Sequence, residues 1–105
     1  MTIEEWREAY HFLDAILSDF IPEERNFRNG RNEQIRNDAE RKIDLLLLRT
    51  DNYIKNNFEL YSLITGEDNN DFGRAIAYDE FLLIRYFRRD LGNVLQKIQR
   101  KIDQY

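Results

Sequence analysis

The sequence predicts an all-α protein, folded as an antiparallel helical bundle of three long helices, or four if the second is kinked near Asn57. Three observations point there. Apolar residues recur three and four apart through three separate stretches, the spacing that lines one face of a helix. No stretch of useful length alternates apolar with polar residues, and no Asn-Gly or Asp-Gly turn joins two apolar runs, so strand signals are missing. Breakers are scarce, with one Pro and four Gly in 105 residues. No linker divides the chain, which is read as a single helical domain over residues 1–105.

Helix 1 opens on Thr2, with Glu5 three residues on, a capping box ahead of an apolar repeat. Ile3, Trp6, Tyr10, Leu13, Leu17 and Phe20 then form a narrow seam. Pro22 is expected to stop this helix near Ile21, because an interior proline removes a backbone hydrogen bond and clashes with the preceding turn. Residues 22–32 read either as a short helix opened by Pro22 and closed by Gly30, or as an irregular polar loop.

Helix 2 begins near Asn32, a fair cap, and can run to about Ile64 before Gly66. Ile35, Ala39, Ile43, Leu46, Thr50, Tyr53, Leu60, Tyr61 and Ile64 share one face. Asn57 falls in the middle of that face. A break or kink at Asn56-Asn57 is the favoured reading, since a continuous helix would bury an amide. Residues 66–71 form the clearest turn. Helix 3 runs from about Asp71 to Asp103, with Ile76, Ile84, Phe87, Leu91, Val94, Leu95, Ile98 and Ile102 as its main face. Gly92 lies on the opposite side.

Helices 2 and 3 would each be about 50 Å long and would pair as a long hairpin, whereas helix 1, at about 27 Å, would cover little more than half of it. Some apolar side chains also lie off the main faces. On helix 3 these are Tyr78, Phe81, Leu82 and Tyr86, beside Arg85, Arg88 and Arg89; on helix 2 they are Leu45 and Leu48. Either helix 3 is the central helix of a small bundle, or these positions form a docking patch. Tyr and Arg are the residue types that dominate such patches. The expected protein interface is therefore Tyr78, Phe81, Leu82, Arg85, Tyr86, Arg89, Leu45 and Leu48. Glu80 projects onto the core face and would need a structural ion-pair partner.

Charge and composition exclude several classes. The net charge is −4, which is not the footprint of a generic DNA-binding domain. Acidic and basic stretches alternate along the chain, as expected of antiparallel helices that neutralise one another. Cysteine is absent, so disulfides, thiolate metal sites and cysteine nucleophiles are excluded. The longest apolar run is Leu45–Leu48, far short of a membrane span. With no basic and apolar leader at its start, the chain is expected in the cytoplasm, away from the membrane. Ten Asn and eleven Ile suggest an AT-rich coding sequence of bacterial or phage origin.

No catalytic, cofactor or metal site is expected. Glu8 and His11 have the spacing of a di-metal carboxylate motif, but there is one His and both residues sit opposite the apolar seam of helix 1. Ser18 and Ser62 lack a nucleophile context, and no glycine-rich phosphate loop is present. The most distinctive stretch holds four Arg-Asn pairs within residues 25–37. Its Arg25, Arg28, Arg31 and Arg36 either pair with nearby acids or contact phosphate or an acidic partner. The expectation is thus a non-enzymatic protein that binds another protein, of the inhibitor, immunity, anti-defence or adaptor kind, with a homodimer compatible. A nucleic-acid or phosphate binder working through residues 25–37 is the alternative.

Overall fold

The computed structural model describes residues 1–66 and 78–105, with Asp79 and Glu80 by backbone alone. The expected turn at 66–71 beyond Gly66, the start of helix 3 near Asp71, Ile76 and the Glu80 side chain lie outside the described residues. What is described is an all-helical bundle: α1 (Ile3–Asn29), α2 (Glu33–Lys55), α3 (Phe58–Thr65), α4 (Tyr78–Phe81) and α5 (Ile84–Asp103).

The capping box forms as the sequence predicts. The Glu5 amide donates to Thr2 Oγ1 at 3.2 Å, and the Thr2 amide donates to Glu5 Oε1 at 3.1 Å. The hydrogen bond from the Thr2 backbone holds the Glu5 carboxyl below its ordinary pKa.

The expected stop at Pro22 is overturned, because α1 passes through it to Asn29. An interior proline costs about 3 kcal/mol. Here the carbonyl that loses its donor belongs to Ser18, which is exposed along with Pro22, so water can serve it. Packing on both sides holds the helix through the break. Phe20 is fully buried before it and Phe27 packs against the core after it. Beyond the proline, Glu23 meets Lys42 of α2 at 3.9 Å and Glu24 meets Arg88 of α5 at 3.8 Å. Residues 22–29 are therefore neither a separate short helix nor a loop.

The connection to α2 is tight. A Cβ on Gly30 would lie 2.4 Å from the Asn26 carbonyl oxygen and 2.9 Å from Arg36 Cγ, so only glycine fits. Asn32 then caps α2 by accepting from the Ile35 amide at 2.9 Å. The break near Asn57 is present: Asn57 lies outside both helices and its side chain accepts from the Leu60 amide at 3.2 Å, opening α3. Its amide is used as a cap, which resolves the burial problem. Gly66 closes α3 in the left-handed region, φ 93°, where a side chain would be strained.

α1 is the helix that packs extensively against both α2 and α5. Phe12 stacks on Tyr53 at 4.0 Å and Glu23 lies by Lys42, so α1 and α2 are antiparallel. Phe20 lies 4.9 Å from Phe87, while Tyr10 lines a shallow cleft with Gln99 and Ile102, so α1 and α5 are antiparallel too. α2 and α5 consequently run parallel to each other on either side of α1. This replaces the expected hairpin of helices 2 and 3, which assumes two long continuous helices where the chain is broken at Asn56-Asn57 and at Leu82-Leu83.

Having two neighbours also widens the buried face of α1. The sequence seam through Tyr10 and Leu17 marks only the half toward α5; Ala9, Phe12 and Ile16 supply the half toward α2. Helix 3 is not continuous either, since Leu82 and Leu83 separate α4 from α5. Within α5 the expected face is largely right, with Phe87, Leu91, Val94, Leu95 and Ile98 buried. Ile35, in the first turn of α2, is exposed instead of buried, because the bundle thins at the α1–α2 connection.

Candidate interaction surfaces

The break at Leu82-Leu83 decides the fate of the expected helix 3 patch. A helical wheel drawn through 78–86 as one helix misassigns its faces when the axis turns in the middle. Phe81, placed on the surface by that wheel, is 0% exposed and is a core residue. Tyr78 is half-buried and its hydroxyl donates to Asp51 of α2. Tyr61, Tyr78, Phe81, Phe87 and Phe20 form a continuous chain of rings with centroids 5.4, 6.0, 5.6 and 4.9 Å apart. Such contacts add about 0.5–1.5 kcal/mol each beyond their buried area. They fasten α3, α4, α5 and α1 together. Burial, followed by the hydrogen bond to Asp51, pushes the Tyr78 phenol well above its ordinary pKa. Leu82 is half-buried against the core. Tyr78, Phe81 and Leu82 thus serve the fold.

The outer part of that patch does reach solvent. Tyr86 is half-buried between two exposed arginines, with the Arg85 guanidinium 4.9 Å and that of Arg89 4.8 Å from its ring centroid. Arg89 Nε also donates to the buried carboxylate of Asp90 at 3.0 Å. These cation–π contacts, worth about 0.5–1 kcal/mol each at exposed sites, favour placement of both guanidiniums over the Tyr86 ring.

Leu45 and Leu48 lie where the sequence places them, on the outward side of α2, and are 64% and 55% exposed. Beside them an open groove of about 400 Å³ runs between α1 and α2. Its α1 wall carries Asp19, Pro22 and Glu23; its α2 wall carries Lys42, Leu45 and Arg49, with the buried Leu46 at its floor. None of Asp19, Pro22, Glu23, Lys42 and Arg49 is a site residue in the sequence reading, where Pro22 figures as a helix stop. The expected stop at Pro22 hides the wall they form, because it removes the second half of α1 from the side of α2.

The arginine-rich stretch is helical at both ends, with Gly30, Arg31 and Asn32 between. Arg28 pairs with Glu24 at 3.6 Å, and Arg36 donates to the Gly30 carbonyl at 2.8 Å. Arg25 and Arg31 are exposed. Because Glu24 also meets Arg88, the fold brings this stretch to the same end of the bundle as Arg85, Arg88 and Arg89. Sequence reasoning treats these as two unrelated groups.

Glu8 and His11 are both exposed. Among the described residues, no three His, Cys, Asp or Glu side chains gather as a metal site, and no helix is long and apolar enough to cross a membrane. The chain matches no protein-family model, no curated protein and no solved structure.

Proposed function

We propose that this protein acts without catalysis of its own, by protein–protein binding, and that the outward face of α2 is the docking surface. The observation that supports this is the exposure of Leu45 and Leu48 side by side on a rigid helix, next to a groove with an apolar strip and charged walls. An apolar ridge rimmed by charge is the composition of a protein-recognition surface. The role belongs to the inhibitor, immunity, anti-defence or adaptor kind, in the cytoplasm. The test compares the wild-type chain with Leu45→Asp/Leu48→Asp, each immobilised and exposed to lysate of its native host. A protein retained by the wild type and lost from the variant, with an unchanged helical CD signal, supports the reading. Identical retention by both removes it.

A second reading is supported by the meeting of the two arginine groups. Residues 21–42 and 84–91 carry nine Arg and Lys against six Asp and Glu in a chain of net charge −4. That end of the bundle is its basic pole, with an aromatic ring held between Arg85 and Arg89. Phosphate or nucleic-acid contact there would weaken steeply with salt, because released counterions set the slope. Anisotropy of labelled RNA and DNA at low salt tests it. A signal that Arg25→Gln/Arg85→Gln abolishes supports this reading, and no signal removes it.

A further inference from the structure

The groove between α1 and α2 is complementary to itself, and we infer that its occupant is a second copy of this chain, docked about a two-fold axis that lies along the groove. This rests on the reading of the Leu45/Leu48 face as a docking surface and names what covers it.

The argument comes from the layout of the two walls. The acids, Asp19 and Glu23, stand on α1; the bases, Lys42 and Arg49, stand on α2. Pro22 and Leu45 form the apolar strip between them. Glu23 lies 3.9 Å from Lys42, and Phe12 stacks on Tyr53 at 4.0 Å. This register puts Asp19 about level with Leu46, within an arginine's reach of Arg49. A two-fold axis along the groove preserves height and exchanges the walls. It carries each acidic wall over the basic wall of the other copy. Glu23 then faces Lys42 of the second copy, Asp19 faces its Arg49, and Leu45 covers its Pro22, each contact occurring twice. Leu48, 55% exposed, comes over Ala15 and Ser18, which are small and exposed on α1. A two-fold interface requires one patch to complement itself. A neutral groove with its charges sorted onto opposite walls meets that requirement, where a foreign partner would need a matching pair of walls of its own.

Sedimentation equilibrium of the full chain through the micromolar range tests the inference. The wild type reaches twice the monomer mass. Asp19→Lys/Glu23→Lys and Lys42→Glu/Arg49→Glu each set like charges face to face and weaken association by about a hundredfold. An equimolar mixture of the two variants recovers the dimer, because one has an all-basic groove and the other an all-acidic one. Leu45→Asp, at a side chain that supports nothing in the monomer, also gives a monomer and keeps the test decisive if a charge-reversed variant does not fold. A wild-type chain that stays monomeric overturns the inference, as does a mixture of folded variants that does not pair. A monomeric wild type whose Leu45→Asp/Leu48→Asp variant still loses a captured protein overturns the second copy alone. A dimer untouched by all of these changes overturns the site itself.

Discussion

Truncation of Phe81 to alanine separates a core role from a surface role for the segment before α5. The ring is 0% exposed and lies 6.0 Å from Tyr78 and 5.6 Å from Phe87, the ring that continues to Phe20. Removing it deletes the middle of that chain and leaves a cavity that neighbouring helices can close only in part. Phe→Ala changes at such sites cost about 3–5 kcal/mol. A domain of this size has about 5–15 kcal/mol in total, so a large share of its stability is at stake. At about 4 °C per kcal/mol for roughly 100 residues, the midpoint falls by about 12–20 °C. Urea unfolding followed by far-UV CD gives the same quantity as a shift in midpoint at constant slope. Phe58→Ala is the control, and at 75% exposure it changes stability by no more than about 0.5 kcal/mol. If Phe81→Ala costs under about 1 kcal/mol, Phe81 is not in the core, and the original surface patch on helix 3 returns.

Gly92→Ala should stabilise by about 0.8–1 kcal/mol, because a Cβ there meets no atom within 4 Å; a loss of stability on urea unfolding would mean that α5 is not helical at that point. Asn57→Ala removes the side chain that accepts from the Leu60 amide and should cost about 1 kcal/mol; no change would mean that α2 and α3 are not separately capped. Tyr78 carries a pH prediction. Its phenol keeps its proton longer in the folded chain than in the unfolded one, so its contribution is fully present below about pH 10 and is lost as the pH rises toward the folded value. Burial lowers the pKa of Lys97, which has the opposite slope, so the comparison must be with Tyr78→Phe. The wild type should lose stability above pH ~10 more steeply than that variant, and equal slopes would show that the hydroxyl is not held against Asp51.

The caps and breaks that rest on local chemistry could be read from the residues alone. Thr2 with Glu5, Asn32, Asn57 and Gly66 each act through neighbours within a few positions, and each was visible. The seams of α2 and α5 were visible for the same reason. The errors came where tertiary packing outweighs a local rule. Pro22 is a strong local stop, and nothing nearby in the chain announces that Lys42 and Arg88 will hold the helix beyond it. Leu82-Leu83 carries no Gly or Pro, so the break before α5 has no local signal, and a wheel drawn through it puts Phe81 on the wrong side. Leu45 and Leu48 are legible because they lie in mid-helix, about two turns or more from either end of α2, where the helical wheel holds.

Pro22 connects these observations. Had α1 ended there, its acidic groups at 23 and 24 would stand in a loop, the α2 groove would lack a wall, and Arg88 would lack its link to α1. Continuation of the helix places Asp19 and Glu23 one turn apart on one side of the groove, and Glu24 between Arg28 and Arg88 at the basic pole. One proline-containing turn inside α1 therefore supports both candidate surfaces. Pro22→Ala restores the missing backbone hydrogen bond and should stabilise the chain by about 1–3 kcal/mol, the helix-interior penalty less the freedom regained by the unfolded chain. It also trims the apolar strip that Leu45 would cover in a second copy. Stability and self-association should accordingly move in opposite directions in this one variant. That pairing distinguishes a proline retained for the surface it presents from one the helix merely tolerates.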